Sequence, residues 1–328
     1  MRVFLTGGTG FLGGEVARLL RARGDAVRAL VRDPEAPAAV RLRELGCDLV
    51  KGDLSDEERL VDACRGSSAV VHCAAVYAVG VPASRRDELV DANLRGTERV
   101  LGAALTVGLS RAVHVSTVAV FGDTGGEVAD ESWVRTAPGW TSVYEETKAR
   151  AHKRAQEIGA RGLPLVTVLP GVVYGPGDPS TVGDLVDRFL AGRLPALPFP
   201  DLGVTPVHRD DVADGVLRAL DDGVAGESYV LAGEPLRMRE LVALLAEVSG
   251  RRAPLVSVPT PLLRAMAPAG GLLGPVLGLP PNLGELIRCS DGVTFWATGD
   301  KAREQLGWSS RPLRDGLQQL VDARAAAS

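Results

Sequence analysis

The chain has 328 residues, 45% of them hydrophobic, with 37 Lys and Arg against 41 Asp and Glu and a formal net charge of -4. That length buries a full α/β core, as one large domain or one domain with a smaller lobe. The charge balance, with no basic run interleaved with aromatics, excludes a nucleic-acid surface, so no nucleic-acid partner is expected.

Cys47, Cys64, Cys73 and Cys289 stand far apart without metal-ligand spacing, which reads as free thiols in a reducing compartment and no metal site. The first strand begins at Arg2, which leaves no room for a signal peptide. The nearest approach to a membrane span, residues 255–279, is broken by prolines, glycines and Arg264. A cytoplasmic protein without membrane insertion is expected.

The first predicted element is the apolar run Arg2-Val3-Phe4-Leu5, which stops at Thr6-Gly7-Gly8-Thr9-Gly10-Phe11-Leu12-Gly13. A helical pattern follows, with Val16, Leu19 and Leu20 as its apolar positions. Gly7, Gly10 and Gly13 give the spacing GxxGxxG between a strand and a helix, the context in which a glycine fingerprint holds a dinucleotide pyrophosphate. Backbone without Cβ atoms approaches the phosphates, and the free N–H groups and dipole of the helix start face the anion. Thr9, Phe11 and Leu12 belong to the same cradle. The alternative is a glycine-rich turn with no ligand.

Strands are then predicted at 26–32, 48–53, 69–73, 112–118 and 165–169, with helices at 57–64, 87–105 and from 144 towards 158. This alternation predicts a Rossmann doubly wound parallel sheet with helices on both faces and a smaller C-terminal substrate lobe. Residues 1–175 are expected to form the dinucleotide-binding domain. Residues 176–328 form mostly the substrate-binding lobe, with segments near 204–232 returning to the sheet. Phe189, Leu190, Leu194, Leu197, Phe199, Leu262, Leu263, Met266, Leu272, Leu273, Val276 and Leu277 give the lobe its apolar character. They read first as lobe core or subunit contact and second as the lining of a hydrophobic carbonyl pocket.

Tyr144 and Lys148 stand four apart on a predicted helix and share a face. A phenol ionises near pH ~10. A neighbouring ammonium is expected to lower that value and to let the tyrosine exchange a proton with a substrate oxygen. Thr117, at the end of the fifth strand, could hydrogen-bond the same oxygen; Ser116 is the adjacent candidate, pointing to the opposite face.

The whole set of motifs is similar to an extended short-chain dehydrogenase/reductase, of the epimerase/dehydratase and dihydroflavonol-reductase-like branch. It comprises TGGTGFLG, GDL at 52–54, HCAA at 72–75, Asn93, STVAVFG, YxxxK, PGVVYGPGD from Pro170 and HRDDVA from His208. The resemblance covers nearly the whole chain. It implies an acid/base role for Tyr144, an electrostatic and ribose-binding role for Lys148, and substrate orientation by Thr117, where the family more often has serine. It also implies adenine contacts for Asp53 and Leu54, a groove lined by Ala74 and Ala75, and nicotinamide contacts from Pro170, Val172 and Val173. Val76, Thr117 and Tyr144 would meet the substrate. His208 and Asp211 would fix the loop and helix of the second lobe, and homodimerisation through the helices at 87–105 and 144–158 is a family expectation.

At the end of the second strand, Arg32 can pair with a 2′-phosphate through its planar fork, and in this branch such an arginine goes with NADP(H). Asp33, rotated inward, would favour NAD. NADP(H) is therefore expected over NAD(H). The expected activity is hydride transfer between the nicotinamide and a small, fairly apolar ketone, aldehyde or secondary alcohol. The alternative is a nucleotide-sugar epimerase or dehydratase with retained NAD. Only Arg209 is basic in 203–209, and it follows His208, which weakens the diphosphate-sugar reading.

Overall fold

Near-continuous apolar runs let a strand bury both faces when helices cover both sides, and the central strands here do so. A computed structural model of the chain describes residues 1–136, 138–269 and 281–326. Among the described residues, seven parallel strands form one sheet. They are β1 (Arg2–Thr6), β2 (Ala26–Val31), β3 (Asp48–Lys51), β4 (Ala69–His72), β5 (Arg111–Val115), β6 (Leu165–Pro170) and, after three short strands, β10 (Ser228–Leu231). Their order is β10-β6-β5-β4-β1-β2-β3.

Val3, Leu5, Val71, Val113 and Val168 face one core, and Phe4, Val70, Ala112 and Leu165 face the other. The first core is closed by α1 (Phe11–Ala22), α2 (Pro37–Glu44) and α8 (Arg209–Asp221). The second is closed by α3 (Glu57–Cys64), α5 (Gly96–Val107) and α6 (Val143–Ala160). Helix α2 has no counterpart in the sequence reading; only Ala39 and Leu42 of its eight residues are buried, too weak a stripe to read as periodicity.

Two expected elements differ in detail. The helix expected at 87–105 is three pieces: α4 (Arg86–Leu89), a π-helical turn Val90–Arg95, and α5. The fifth strand stops at Val115, and Val118–Phe121 is a short 3-10 turn capped by the Thr117 hydroxyl, which accepts from Ala119 N at 3.3 Å.

The lobe is assembled from α7 (Thr181–Leu190), α9 (Met238–Ser249), α10 (Thr260–Met266) and the helices Leu283–Arg288 and Leu313–Ala326. Short pairings join it to the sheet edge: β7 (Val172–Tyr174) with β9 (Pro206–His208), and β8 (Gly203–Val204) with β11 (Leu236–Arg237). No helix among the described residues is long and apolar enough to cross a membrane.

Candidate active site

The strand order reverses between β1 and β4, and the loops leaving these two neighbours diverge to open a crevice. There the glycines are a packing requirement. Gly7 has φ +76°, and a Cβ on it would lie 2.6 Å from Ala74 N; a Cβ on Gly13 would lie 2.1 Å from the Gly7 carbonyl oxygen. A Cβ on Gly10 would meet only Gly7 O, at 3.2 Å. The start of α1 has no side-chain cap and no acidic residue in its first turn, so its leading N–H groups are left for an anion.

One cavity of about 940 Å³ runs from this turn across the carboxyl ends of the strands to the lobe. Thr9, Gly10, Phe11, Leu12 and Gly13 line it, as do Arg32, Asp53, Leu54, Ala74 and Ala75, and Pro170, Val172 and Val173. Thr117, Tyr144, Lys148 and Val76 line it as well. These residues singled out for the cofactor and the reaction thus share one cavity wall. Asp33 does not line it; its carboxylate accepts from Glu35 N at 3.0 Å and holds the turn after β2. Asp53 makes a similar turn, accepting from Ser55 N at 3.0 Å.

Helix α6 starts at a Ser142 cap, whose hydroxyl accepts from Glu145 N at 3.1 Å, and this fixes the helix entry two residues before Tyr144. The Thr117 side chain lies close enough to the Tyr144 phenol to oppose the rise of its pKa. Ser116, one residue earlier and on the other face, is bonded to His152 Nδ1 at 3.1 Å. Strand alternation therefore decides which of the two adjacent hydroxyls reaches the phenol.

Lys148 lies one helical turn beyond Tyr144 and is 3% exposed; its Nζ donates to Val115 O at 3.0 Å. It forms no ion pair among the described residues, and the imidazoles of His72, His114 and His152 around it are held neutral by burial and by its own charge. The expected lowering of the phenol pKa is corrected here. Burial dominates, the neighbouring Tyr77 adds to it, and the Tyr144 phenol is pushed above its ordinary value against the opposing effect of the Thr117 side chain. Burial also pulls Lys148 down to about 8.

This shift has a testable cost. Between pH ~8 and ~10.5 the folded chain has shed the Lys148 proton and the unfolded chain has not, so the penalty is full below that window and disappears above it. Lys148→Met is expected to raise the ligand-free unfolding free energy at pH 7 by roughly 1–3 kcal/mol, a gain that shrinks to zero as pH approaches 10.5. Urea unfolding of both proteins across that range checks it; a difference independent of pH would refute the assignment.

Three contributors had no assigned role in the sequence reading. Asn93, on the π-helical turn, accepts from Val76 N at 2.7 Å and donates to Val76 O at 3.0 Å and to Thr147 Oγ1 at 3.1 Å. It ties the cavity wall after β4 to the helix that carries Tyr144. Tyr77 stacks edge-on against Tyr144 with ring centroids 4.9 Å apart, and its hydroxyl meets Thr181 Oγ1 at 3.1 Å. Asp178 lines the far end. Motifs flagged Asn93 and Asp178, the last residue of PGVVYGPGD, without giving either a role; nothing in the sequence pattern flagged Tyr77.

Most of the apolar lobe series is core: Phe189, Leu190, Leu197 and Leu194 pack with α9 and the C-terminal helix, and Phe199, Leu263 and Met266 with helix Leu283–Arg288. Leu262 is largely exposed, and residues 272, 273, 276 and 277 lie outside the described residues. His208 caps α8, accepting from Asp210 N at 3.3 Å, and Asp211 binds Arg311 through both carboxylate oxygens.

A Rossmann crevice whose Gly7 and Gly13 leave no room for Cβ atoms, facing a hydroxyl, a phenol and an ammonium, is the site of a nicotinamide-dependent oxidoreductase. The family model described as NAD dependent epimerase/dehydratase family matches residues 3–232, and the chain belongs to this family. It is 32% identical over 332 residues to 4-hydroxy-2-methyl-3-oxo-4-farnesyl-3,4-dihydroquinoline-1-oxide ketoreductase of Stigmatella aurantiaca, covering 99% of this chain and 97% of the relative. It is 31% identical over 344 residues to 2-alkyl-3-oxoalkanoate reductase of Stenotrophomonas maltophilia, covering 99% and 100%. The crystal structure of gox2253 matches with TM-score 0.82 and 31% identity, covering 99% of this chain and 98% of that one. The protein is an NAD(P)-dependent oxidoreductase of the extended short-chain dehydrogenase/reductase type.

Proposed function

We propose that the chain is an NADP(H)-dependent reductase of fairly apolar ketones or aldehydes, running in reverse on secondary alcohols. In this reading residues 1–175 hold the cofactor and most of 176–328 the substrate. The bound dinucleotide supplies the hydride for reduction of the carbonyl carbon. Tyr144, a phenol protonated at neutral pH and kept so by burial, donates its proton to the carbonyl oxygen. Thr117 shares that oxygen and fixes the carbonyl against the phenol. The Lys148 ammonium offsets the charge left on the phenolate and reaches the ribose. Two relatives whose names contain ketoreductase and oxoalkanoate reductase support carbonyl reduction over sugar epimerisation.

The observation that carries the NADP(H) preference is the contrast at the end of β2: Arg32 lines the cavity, and Asp33 is spent on its own turn. Arg32→Ala is expected to weaken NADPH binding by about 10- to 100-fold, one charge-assisted phosphate contact, with a smaller effect on NADH. Fluorescence titration of both cofactors, with mass spectrometry of whatever the purified protein releases on denaturation, checks it. Equal loss for both cofactors would refute the arginine's role. Retained NAD(H) would favour the epimerase reading, in which the cofactor never needs to leave.

A further inference from the structure

The substrate end of the cavity differs in charge from the cofactor end. The cavity wall includes Val76, Val182, Leu202, Leu286 and Phe295, with Tyr77 stacked on Tyr144 and Asp178 close enough for its charge to act on Tyr77. Arg32 and Lys148 are the cations that line the cavity, one at the dinucleotide end and one bonded to Val115 O beside Tyr144. Residues 270–280, outside the described set, contain no Lys, Arg or His.

Asp178 makes no ion pair among the described residues. Its oxygens accept from Ser180 N at 2.8 Å and Ser180 Oγ at 2.9 Å. Burial raises its pKa, and its charge in turn raises that of Tyr77. An anion entering this end would lose its water, find no cation, and face a carboxylate in a poorly screened cavity.

We propose that the site selects by charge: Asp178 excludes substrates that carry a carboxylate or phosphate next to the reacting ketone, and the substrate is uncharged there. This rests on the reductase reading of the same site. It separates the chain from the alkanoate reductase to which it is 31% identical, whose named substrate is a carboxylate.

The probes are benzoylformate and its methyl ester, two ketones of nearly one shape that differ by a charge directly beside the ketone. Both are tested by calorimetric binding to the NADP(H)-loaded protein and by turnover. The ester is expected to bind at least about 30-fold more tightly than the carboxylate, and Asp178→Asn to narrow that gap about 10-fold by raising carboxylate affinity. Asp184→Asn, an exposed change on α7 away from the cavity, is expected to leave the gap as it is. Val182→Lys, which supplies the missing cation, narrows it independently should Asp178→Asn fold poorly.

Equal affinity for the two probes, no binding of the ester, or a gap that neither cavity variant moves overturns the proposal. Charge selection in binding without turnover of the ester counts against the reductase reading alone. Turnover of both probes at similar kcat/KM counts against charge selection alone.

Discussion

Tyr144→Phe is expected to lower kcat for ketone reduction by about 10²–10⁴-fold and to move the NADPH dissociation constant by less than about threefold. The substitution removes one oxygen. The ring keeps its edge-on contact with Tyr77, and the helix keeps its Ser142 cap. The neighbouring groups are poor substitutes for the lost phenol: the Tyr77 hydroxyl is engaged with Thr181 Oγ1, the Thr117 hydroxyl is a far weaker acid, and Lys148 is bonded to Val115 O. Single-turnover kinetics with saturating cofactor separate the chemical step from binding. A variant that keeps more than about a tenth of wild-type kcat would remove Tyr144 from the acid/base role.

Gly13→Ala is expected to damage both stability and cofactor binding. Its Cβ would lie 2.1 Å from Gly7 O and 2.6 Å from Gly7 C, both backbone atoms that cannot rotate away. Helix α1 would have to back off from the turn, moving its N-terminal N–H groups from the pyrophosphate position. The expected result is a loss of roughly 1–3 kcal/mol of stability and a rise of at least about 100-fold in the cofactor dissociation constant. Gly10→Ala is the control, because its Cβ meets only Gly7 O, at 3.2 Å. Its unfolding midpoint should stay near wild type while cofactor affinity falls, because the new methyl stands where the phosphates approach. Thermal unfolding and titration of both variants decide this; if Gly13→Ala binds as well as wild type, the close-packed cradle is not required.

The sequence by itself determined whatever depends on local order along the chain. Alternating apolar runs and helical stripes define a parallel sheet, because each strand must cross back over a helix to lie beside a parallel neighbour. A glycine turn directly after the first strand marks where that sheet meets phosphate. Tyr144 and Lys148 share a helix face through four-residue spacing alone, and the pairing of Arg32 with Asp33 at the end of β2 was legible as a contest between two cofactors.

Only the tertiary structure decided matters set by distance and burial. The phenol's pKa was one: the sequence offers an ammonium one turn away, but it does not offer the burial that outweighs it and draws Lys148 itself down to about 8. Asp33 pointing into its own turn was another, as was the bond from Ser116 to His152 that leaves Thr117 with the phenol. Tyr77 follows an irregular loop and meets Tyr144 across more than sixty residues of chain, so no periodicity marks it. Side chains brought together from remote loops owe their charge state to what surrounds them, and what surrounds them is fixed by tertiary packing.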